Sequence, residues 1–553
     1  MKFRTTVLLI IFSFSLVMLW ERWVSFNRVD SVSISQKNQT LNEKNKGFED
    51  NKLEKNEEIP RAINLKRNLI TEIDSSSKPK RKEQNFQLNN NKLKVSVNSV
   101  GGKIDYSEFL SESKLEEEEK DSVVLFDNSQ SRQYEAQTGI IDLNQENRIL
   151  PNHTSQFTKN LAKSNSKYLV LENETNSVKL TKIYDLVDDS FVVKVQHQIE
   201  NKSDEPIDIG IYLQLLRDSG DPAGGSSFYH TYTGPVVYSE EAKFQKVPFD
   251  DIKDNKTEHV KIADSGWIGI IQHYYVSAWI LRNQFEREIY TRELRNNLFT
   301  VGTIQSLKSL KPSETAVHES ILYVGPQYQE TLKKLAPGLD LVVDYGILTV
   351  IAKPIFWLLE KLHSFIGNWG WAIVALTIII KLIFYPLTAA SYKSMAKMKN
   401  VTPKIMQIRE QNKDDKLKMN QAMMDLYKKE KINPLGGCLP ILIQIPVFIA
   451  LYWVLLASVE IKDAPWIFWI RDLSAPDPFF ILPLIMAVTM FIQMRLNPTP
   501  PDPLQAKIMM FMPVVFSIFF FFFPAGLVLY WLVNNIVSIA QQWSIMRQLN
   551  VKV

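Results

Sequence analysis

Five long apolar segments in the last third of the chain limit its possible folds more than any other feature. A helix that crosses a bilayer needs about 20 predominantly apolar residues, because each residue advances the helix by only about 1.5 Å. The segments have the composition of such helices, with few charged residues inside them. We therefore predict transmembrane helices at 369–391, 435–459, 479–494, 508–523 and 526–545.

The chain begins with a further apolar segment that follows Lys2 and Arg4. Fourteen uncharged residues at 7–20 fit either a cleaved signal peptide or an uncleaved anchor. A cleavage site needs small residues, whereas bulky Trp20 and the charged residues after it stand there. This favours an uncleaved signal-anchor helix at 1–26, and the predicted fold is a polytopic α-helical membrane protein with six transmembrane helices.

The flanking charges predict the orientation of these helices. Segment 392–433 has eleven Lys/Arg against five Asp/Glu, whereas 460–478 has two against four. Short loops rich in Lys and Arg stay in the cytoplasm. Both termini are therefore expected in the cytoplasm, and the region between the first two helices is expected outside.

That outer region divides by composition. Residues 27–91 are rich in Asn, Lys, Glu and Ser, which predicts a disordered tether. Apolar and polar residues then alternate at 93–98, and Gly101-Gly102 marks a turn. Further short alternating segments predict an all-β sandwich domain at 92–345.

Segment 346–367 is mostly apolar but contains Lys353, Glu360 and Lys361, and tryptophans follow it closely. This pattern predicts an amphipathic helix in the outer membrane interface. A helix buried against the sandwich is the alternative.

Composition excludes several functional classes. The 64 Lys+Arg against 60 Asp+Glu leave a net charge of only +4, which does not suggest direct nucleic-acid binding. The single cysteine excludes an intramolecular disulfide, and the seven histidines show no metal-ligand spacing. We predict no catalytic site, no metal and no cofactor.

Lys381 is the most informative single residue. It is the twelfth residue of the apolar stretch 370–391, about 16 Å from either end if that stretch is one helix. A charge at the centre of a bilayer is costly and therefore faces protein or water. The other predicted helices contain no Asp or Glu within their apolar stretches, which favours a hydrated cation over an ion pair. Thr377 lies one turn earlier on the same face, and Pro386 weakens the helix just beyond.

Polar side chains recur on the last predicted helix and at one position of the third. They form either hydrogen bonds between helices or, together with Lys381, the lining of a wet cavity. The residues are Gln444, Trp531, Asn534, Asn535, Ser538, Gln541 and Gln542.

The cytoplasmic segment 392–433 predicts a hairpin of two amphipathic helices that is rich in methionine. Methionine is flexible and polarisable, so it suits contact with varied apolar segments, but it also suits packing of the hairpin on itself. The methionines are Met395, Met398, Met406, Met419, Met423 and Met424, of which Met395, Met398, Met419 and Met423 are the expected client contacts.

Several sequence motifs resemble the YidC family of membrane protein insertases, which is related to the mitochondrial Oxa-type proteins. The matches cover 345–545 in one order, and weaker ones reach into the predicted sandwich. They include Asn-Trp-Gly-Trp from Asn368, Tyr-Pro-Leu-Thr from Tyr385, Asn-Pro-Leu-Gly-Gly-Cys from Asn433, Gln-Ile-Pro-Val-Phe from Gln444, and Phe-Pro-Ala-Gly-Leu-Val-Leu-Tyr from Phe523.

The resemblance implies a five-helix insertase core at 368–546 and a β-supersandwich-like periplasmic domain. The cytoplasmic tail predicted at 547–553 is short, unlike the longer basic tails of some family members. The family's central basic residue, often arginine, matches Lys381. The positive charge is therefore kept, but lysine lacks the planar guanidinium group that can bind a carboxylate with two hydrogen bonds. The groove would be lined by Lys381 and the polar residues above. The implied partners are nascent membrane protein clients, the lipid bilayer, the Sec translocon, and the ribosome through the cytoplasmic loops.

The function predicted from these features is membrane protein insertion and folding in the bacterial inner membrane. A positively charged groove would carry polar client segments, and apolar client segments would leave along Phe448 and Phe519. A secondary transporter or channel with a charged cavity is the alternative. A third class is an envelope enzyme or sugar binder built on the sandwich.

Overall fold

The protein is described by a computed structural model. The described residues are 83–110, 123–129, 132–144, 148–220, 231–282, 284–294, 297–412, 415–430, 439–497 and 503–549. The predicted anchor helix at 1–26, most of the predicted tether and the end of the predicted tail lie outside these ranges.

The first part of the described chain is built from strands. They are β1 Asn85–Asn89, β2 Leu93–Asn98, β3 Ile104–Phe109, β4 Asp127–Asn128, β5 Gln133–Asp142, β6 Thr158–Lys159, β7 Tyr168–Glu174, β8 Val178–Leu186, β9 Val192–Asn201, β10 Ile209–Asp218, β11 Thr233–Ser239, β12 Lys243–Lys246, β13 Ile262–Ala263, β14 Trp267–Gln272, β15 Tyr275–Ile280, β16 Arg287–Glu293, β17 Leu298–Ser306 and β18 Thr315–Pro326.

The strands form two antiparallel sheets of nine strands each within the described residues. One sheet has the order β1-β2-β3-β5-β10-β17-β16-β13, with β4 also paired to β5. The other has the order β12-β11-β14-β15-β18-β9-β8-β7-β6. One hydrophobic core contains side chains from both sheets, such as Val95 and Val195, which confirms the predicted all-β sandwich.

The sequence pattern explains the start of the sandwich but not its boundary. Leu93, Val95 and Val97 are fully buried, as the alternation predicts. The predicted turn has Gly101 at φ +79°, and an added Cβ there would lie 2.1 Å from the carbonyl oxygen of His153. However, β1 pairs with β2 and lies inside the segment predicted as a tether, so the tether does not extend to residue 91.

The second part of the described chain is helical, and two short helices also occur in the sandwich region. The helices are α1 Phe249–Lys253, α2 Gln329–Leu335, α3 Thr349–Ile366, α4 Trp369–Ile383, α5 Tyr385–Gln411, α6 Lys416–Lys429, α7 Leu439–Ala457, α8 Ile481–Leu496, α9 Pro503–Phe520 and α10 Ala525–Gln548. Short 3-10 turns lie at Leu161–Lys163, Leu339–Val342, Gly346–Leu348 and Val459–Ile461.

The predicted span at 369–391 is not one straight helix. Helix α4 ends at Ile383, and α5 begins at Tyr385 after a bend of 67°. Pro386 lies at the start of α5, where its missing N–H and its ring prevent the regular bond to the preceding turn. Lys381 therefore lies in the last turn of α4, and its predicted position 16 Å from either helix end is wrong.

The other predicted spans correspond to α7, α8, α9 and α10, with ends shifted by a few residues. Helix α10 continues to Gln548, two residues into the predicted tail. By length and composition, none of the described helices could cross a membrane alone, whereas α4 and α5 could do so as a bent pair. The number of six spans stays a prediction.

Helix α3 covers the segment predicted as an interfacial helix. Its buried residues include Phe356 and Leu359, and it packs against α4 and α7. Trp357 is 58% exposed and Phe365 is 88% exposed. Its location in the membrane interface stays a prediction. One hydrophobic core continues from the sandwich, through the buried face of α3, into α4, α7 and α10.

Candidate functional site

The side chain of Lys381 ends against α10. Its Nζ donates a hydrogen bond to Ser538 Oγ at 2.7 Å. Both residues are buried, with 5% and 2% of their surface exposed. The Ser538 hydroxyl in turn donates to the carbonyl oxygen of Asn534 at 2.7 Å. The structure therefore brings Lys381, Ser538 and Asn534 together at a contact between α4 and α10.

No Asp or Glu lies within ion-pair distance of Lys381 in the part of the chain that the structure describes. A cation in the last turn of a helix is favoured by the partial negative charge of the unpaired carbonyl groups there. The bend at Phe384 thus places Lys381 where the helix dipole stabilises its charge. This contribution could not be seen in a continuous predicted helix.

Thr377 lies on the same buried face as Lys381 and is 1% exposed. Its hydroxyl donates to the carbonyl oxygen of Ile373, four residues earlier in its own helix, at 2.7 Å. This local bond satisfies the hydroxyl donor, so Thr377 offers only acceptor capacity to a partner.

The polar residues of α10, which we call the polar stripe, lie on two faces of the helix. Asn534 and Ser538 lie toward Lys381, whereas Asn535 Nδ2 donates to Thr489 Oγ1 of α8 at 3.4 Å. Gln542 Nε2 donates to Asn497 Oδ1, just after α8, at 3.0 Å. Asn535 and Gln542 thus form hydrogen bonds between helices, which the sequence analysis gave as the alternative to a wet cavity. Thr489 and Asn497 were missed, because one polar residue in a sequence does not identify its partner.

Gln444 of α7 and Trp531 of α10 each contact a residue of the other helix. The side-chain amide of Gln444 donates to the hydroxyl of Tyr530, a fully buried residue that the sequence analysis did not select. Tyr530 is the last residue of the motif that begins at Phe523, and this is the sequence feature that could have identified it. The Trp531 ring meets Phe448 edge to face, with 4.8 Å between ring centroids.

Four buried polar atoms on α10 have no hydrogen-bond partner among the described residues. They are Trp531 Nε1, Asn534 Oδ1, Gln541 Oε1 and Gln542 Oε1. Buried polar atoms are nearly always paired in proteins, because an unpaired one costs about 1–3 kcal/mol. Because all four lie on α10, this helix keeps hydrogen-bonding capacity that the described residues do not use.

The two predicted exit residues differ in environment. Phe448 is half-buried and packs against Trp531 and Phe520. Phe519 is 40% exposed on α9, where its ring contacts Phe520 and Phe523. Phe519 thus lies at the outer edge of an aromatic cluster that begins beside the polar stripe.

The hairpin methionines differ in what they pack against and in how exposed they are. Met398 and Met423 pack against the hairpin core formed by Val401 and Ile405, and Met419 is half-buried. Met395 is 8% exposed and packs against Ile545 of α10 instead. Self-packing thus accounts for Met398 and Met423. Two further methionines are about half exposed, Met406 at 51% and Met424 at 52%.

Fold and site together define a two-part protein, in which an antiparallel β-sandwich is joined to a helical core that contains a buried lysine. A family described as 60Kd inner membrane protein matches residues 361–552, and a family described as YidC periplasmic domain matches residues 85–358. The sandwich is therefore a periplasmic domain, and its matched range begins at the first residue of β1.

The curated relatives agree along the whole chain. The "Membrane protein insertase YidC" of Janthinobacterium sp. is 47% identical over 100% of both chains. That of Cupriavidus necator is 47% identical over 99% of this chain and 98% of its own. A crystal structure of an active YidC insertase matches 83% of this chain and 92% of its own, with 18% identity and a TM-score of 0.39. The chain belongs to the YidC family of membrane protein insertases, which confirms the resemblance.

Proposed function

We propose that this protein inserts, folds and assembles integral membrane proteins in the bacterial inner membrane, alone or together with the Sec translocon. It is a multi-pass protein with both termini in the cytoplasm. Its clients are nascent membrane proteins, and contact with the ribosome is through the cytoplasmic loops. The names of the relatives support the activity.

The observation that carries the mechanism is the buried Lys381 ammonium, whose partner among the described residues is a neutral hydroxyl. A carboxylate partner would cancel the charge, whereas a serine keeps it available to an acidic client residue. A charge in a medium of low dielectric constant attracts an opposite charge far more strongly than it would in water. Lys381 therefore draws an acidic client segment into the membrane.

The unpaired polar atoms of α10 bind the client backbone in the next step of insertion. A client segment that crosses the membrane before it folds brings backbone N–H and C=O groups, each of which is costly to leave unpaired in lipid. Asn534 Oδ1 and Gln541 Oε1 accept hydrogen bonds from such N–H groups, and Trp531 Nε1 donates to a carbonyl oxygen. Thr377 and Gln444 extend this polar surface, whereas Asn535 mainly joins α10 to α8.

The apolar client segment then leaves along Phe448 and Phe519 into lipid. Hydrophobic transfer at about 0.8 kcal/mol per buried CH₂ supplies the drive, and the membrane potential adds to it. The cytoplasmic hairpin receives the client first, with its methionines as adaptable apolar contacts.

The test is complementation of a strain depleted of its own insertase. The client is a short single-span protein with an acidic tail, and protease accessibility measures its insertion. We expect Lys381→Arg to keep most of the insertion, and Lys381→Ala and Lys381→Glu to lose about tenfold or more, because hydrogen bonds to charged groups are worth that much.

Lys353→Ala is a matched control, since it removes a lysine that lies outside the proposed site and pairs with Asp340. Equal insertion by all Lys381 variants, at equal protein levels, would refute the role of the charge.

A further inference from the structure

The hydroxyl of Ser538 has its hydrogen atom fixed. A serine hydroxyl has one donor and two acceptor lone pairs. The donor is used on the carbonyl oxygen of Asn534, four residues earlier in α10. Toward Lys381, Ser538 can therefore act only as an acceptor, and its lone pair points at the ammonium group.

Ser538 also lies where three helices meet. Lys381 reaches it from α4, and the hydroxyl of Tyr392 interacts with it from α5. Tyr392 is 4% exposed, so this junction is enclosed. A lysine side chain has four rotatable methylene groups, and an ammonium held at one such junction samples far fewer positions than a free one.

The remaining donors of Lys381 have no hydrogen-bond partner among the described residues. An ammonium group has three N–H donors, and one of them is used on Ser538. Among the described residues, no other side chain or carbonyl group accepts from Lys381. Two N–H donors of the ammonium group thus remain unused, and they can bind an acidic client residue that enters the junction.

We propose that Ser538 is a positioning residue that fixes the depth at which Lys381 accepts the acidic residue of a client, and so selects clients by the position of that residue. This inference rests on the proposed function of Lys381. An extended client segment advances about 3.4 Å per residue, which exceeds the tolerance of a hydrogen bond. Moving the client's carboxylate by one or two residues therefore removes it from a fixed ammonium, but not from a mobile one.

The experiment uses the full chain in the depleted strain and a series of clients in which a single Asp moves through the translocated tail one residue at a time. With wild type, we expect insertion to peak at one Asp position and to fall about tenfold two positions away. Ser538→Ala should broaden the peak and reduce that ratio to about threefold or less. Ser538→Thr keeps the hydroxyl and should restore the narrow peak.

Ser517→Ala is the matched control, because Ser517 is a buried serine of α9 whose hydroxyl bonds to the carbonyl oxygen of Pro483, away from Lys381. It should leave the peak narrow. A narrow peak in Ser538→Ala would overturn the inference, as would an equal loss at every Asp position in both Ser538→Ala and Ser538→Thr, which indicates a merely structural role.

Lys381→Ala separates this inference from the function on which it rests. If Lys381→Ala keeps the wild-type peak, both the attraction by Lys381 and the positioning by Ser538 are refuted. If Lys381→Ala abolishes the peak while Ser538→Ala keeps it narrow, the attraction stands and only the positioning is refuted.

Discussion

The side chain of Gln444 on α7 and the hydroxyl of Tyr530 on α10 form a hydrogen bond between two helices of the core. Tyr530 is fully buried, and Gln444 is half-buried. Such bonds between helices in membranes are worth roughly 0.6–2 kcal/mol. This pair therefore contributes to the alignment of α7 with the polar stripe of α10.

We predict that Tyr530→Phe and Gln444→Leu each lower the free energy of unfolding, and that the double variant is less destabilised than the sum of the two. The coupling should be about 1 kcal/mol. Unfolding of the purified chain in mixed detergent and denaturing micelles measures all four proteins of this cycle. Strict additivity would show that the bond contributes nothing.

The turn at Gly101 makes a second prediction. Gly101 has φ +79°, and an added Cβ would lie 2.1 Å from the carbonyl oxygen of His153, which is backbone and cannot rotate away. Gly101→Ala should therefore destabilise the sandwich by roughly 3 kcal/mol or more, from the left-handed strain together with the clash. Thermal unfolding followed by the circular dichroism of the β-sheets measures this loss.

Gly367→Ala is the matched control for that experiment. Gly367 ends α3 with φ +74°, but nothing lies within 4 Å of its added Cβ. Gly367→Ala should lower the free energy of unfolding by only about 1–2 kcal/mol, because it adds the strain of the left-handed backbone without a clash. Equal losses in the two variants would show that the contact with His153 does not matter.

Local patterns in the sequence predicted the sandwich well. Leu93, Val95 and Val97 share one fully buried face of β2, as the alternation predicts, whereas the burial of Ser96 and Asn98 on the other face was not predicted. The start of the sandwich was missed at Asn85–Asn89, whose polar composition resembles the tether before it. That strand is specified by pairing with β2, which is a tertiary effect that composition does not report.

The sequence supplied candidate site residues but not the geometry that relates them. The apolar run around Lys381 suggested one helix, whereas Pro386 divides it and moves Lys381 to a helix end. The polar residues of α10 were found by their helical spacing. Which of them faces Lys381 and which faces α8 depends on how the helices are rotated against one another, and spacing along one helix does not determine that.

The hairpin gives a third prediction, which concerns client contact. Met406 and Met424 are about half exposed, whereas Met398 and Met423 pack inside the hairpin. A photoreactive amino acid at position 406 or 424 should therefore cross-link a stalled nascent client several times more than one at position 398 or 423. Gel mobility of the cross-linked product measures the yield. The reverse ranking would show that the hairpin opens to admit the client.

A fourth prediction concerns pH and the contact between the sandwich and the helical core. Glu460 follows α7, and its Oε1 accepts a hydrogen bond from the backbone N–H of Gln329 at 3.1 Å. Its Oε2 is buried and has no partner among the described residues. Burial raises the pKa of Glu460 from 4.5 to about 7, and the nearby charge of Glu360 adds to this effect, while the bond from Gln329 opposes it.

The raised pKa fixes the sign of the pH dependence. Glu460 is harder to ionise in the folded state than in the unfolded state. Its contribution to the free energy of unfolding is therefore fully present below pH 4.5 and is lost as the pH rises through about 7. The full difference corresponds to ~3 kcal/mol at most. We therefore expect the contact between Glu460 and Gln329 to loosen between pH 6 and pH 8, at about the pKa of Glu460.

Hydrogen exchange at the amide of Gln329 in the full chain measures this loosening, after correction for the intrinsic pH dependence of exchange. In wild type, protection should fall as the pH rises, whereas Glu460→Gln keeps the acceptor oxygen without the charge and should remain protected throughout. Glu319→Gln is the control, because Glu319 is exposed on β18 and its hydrogen bond is to Gln196. If Glu460→Gln loses protection with pH as wild type does, another group controls this contact.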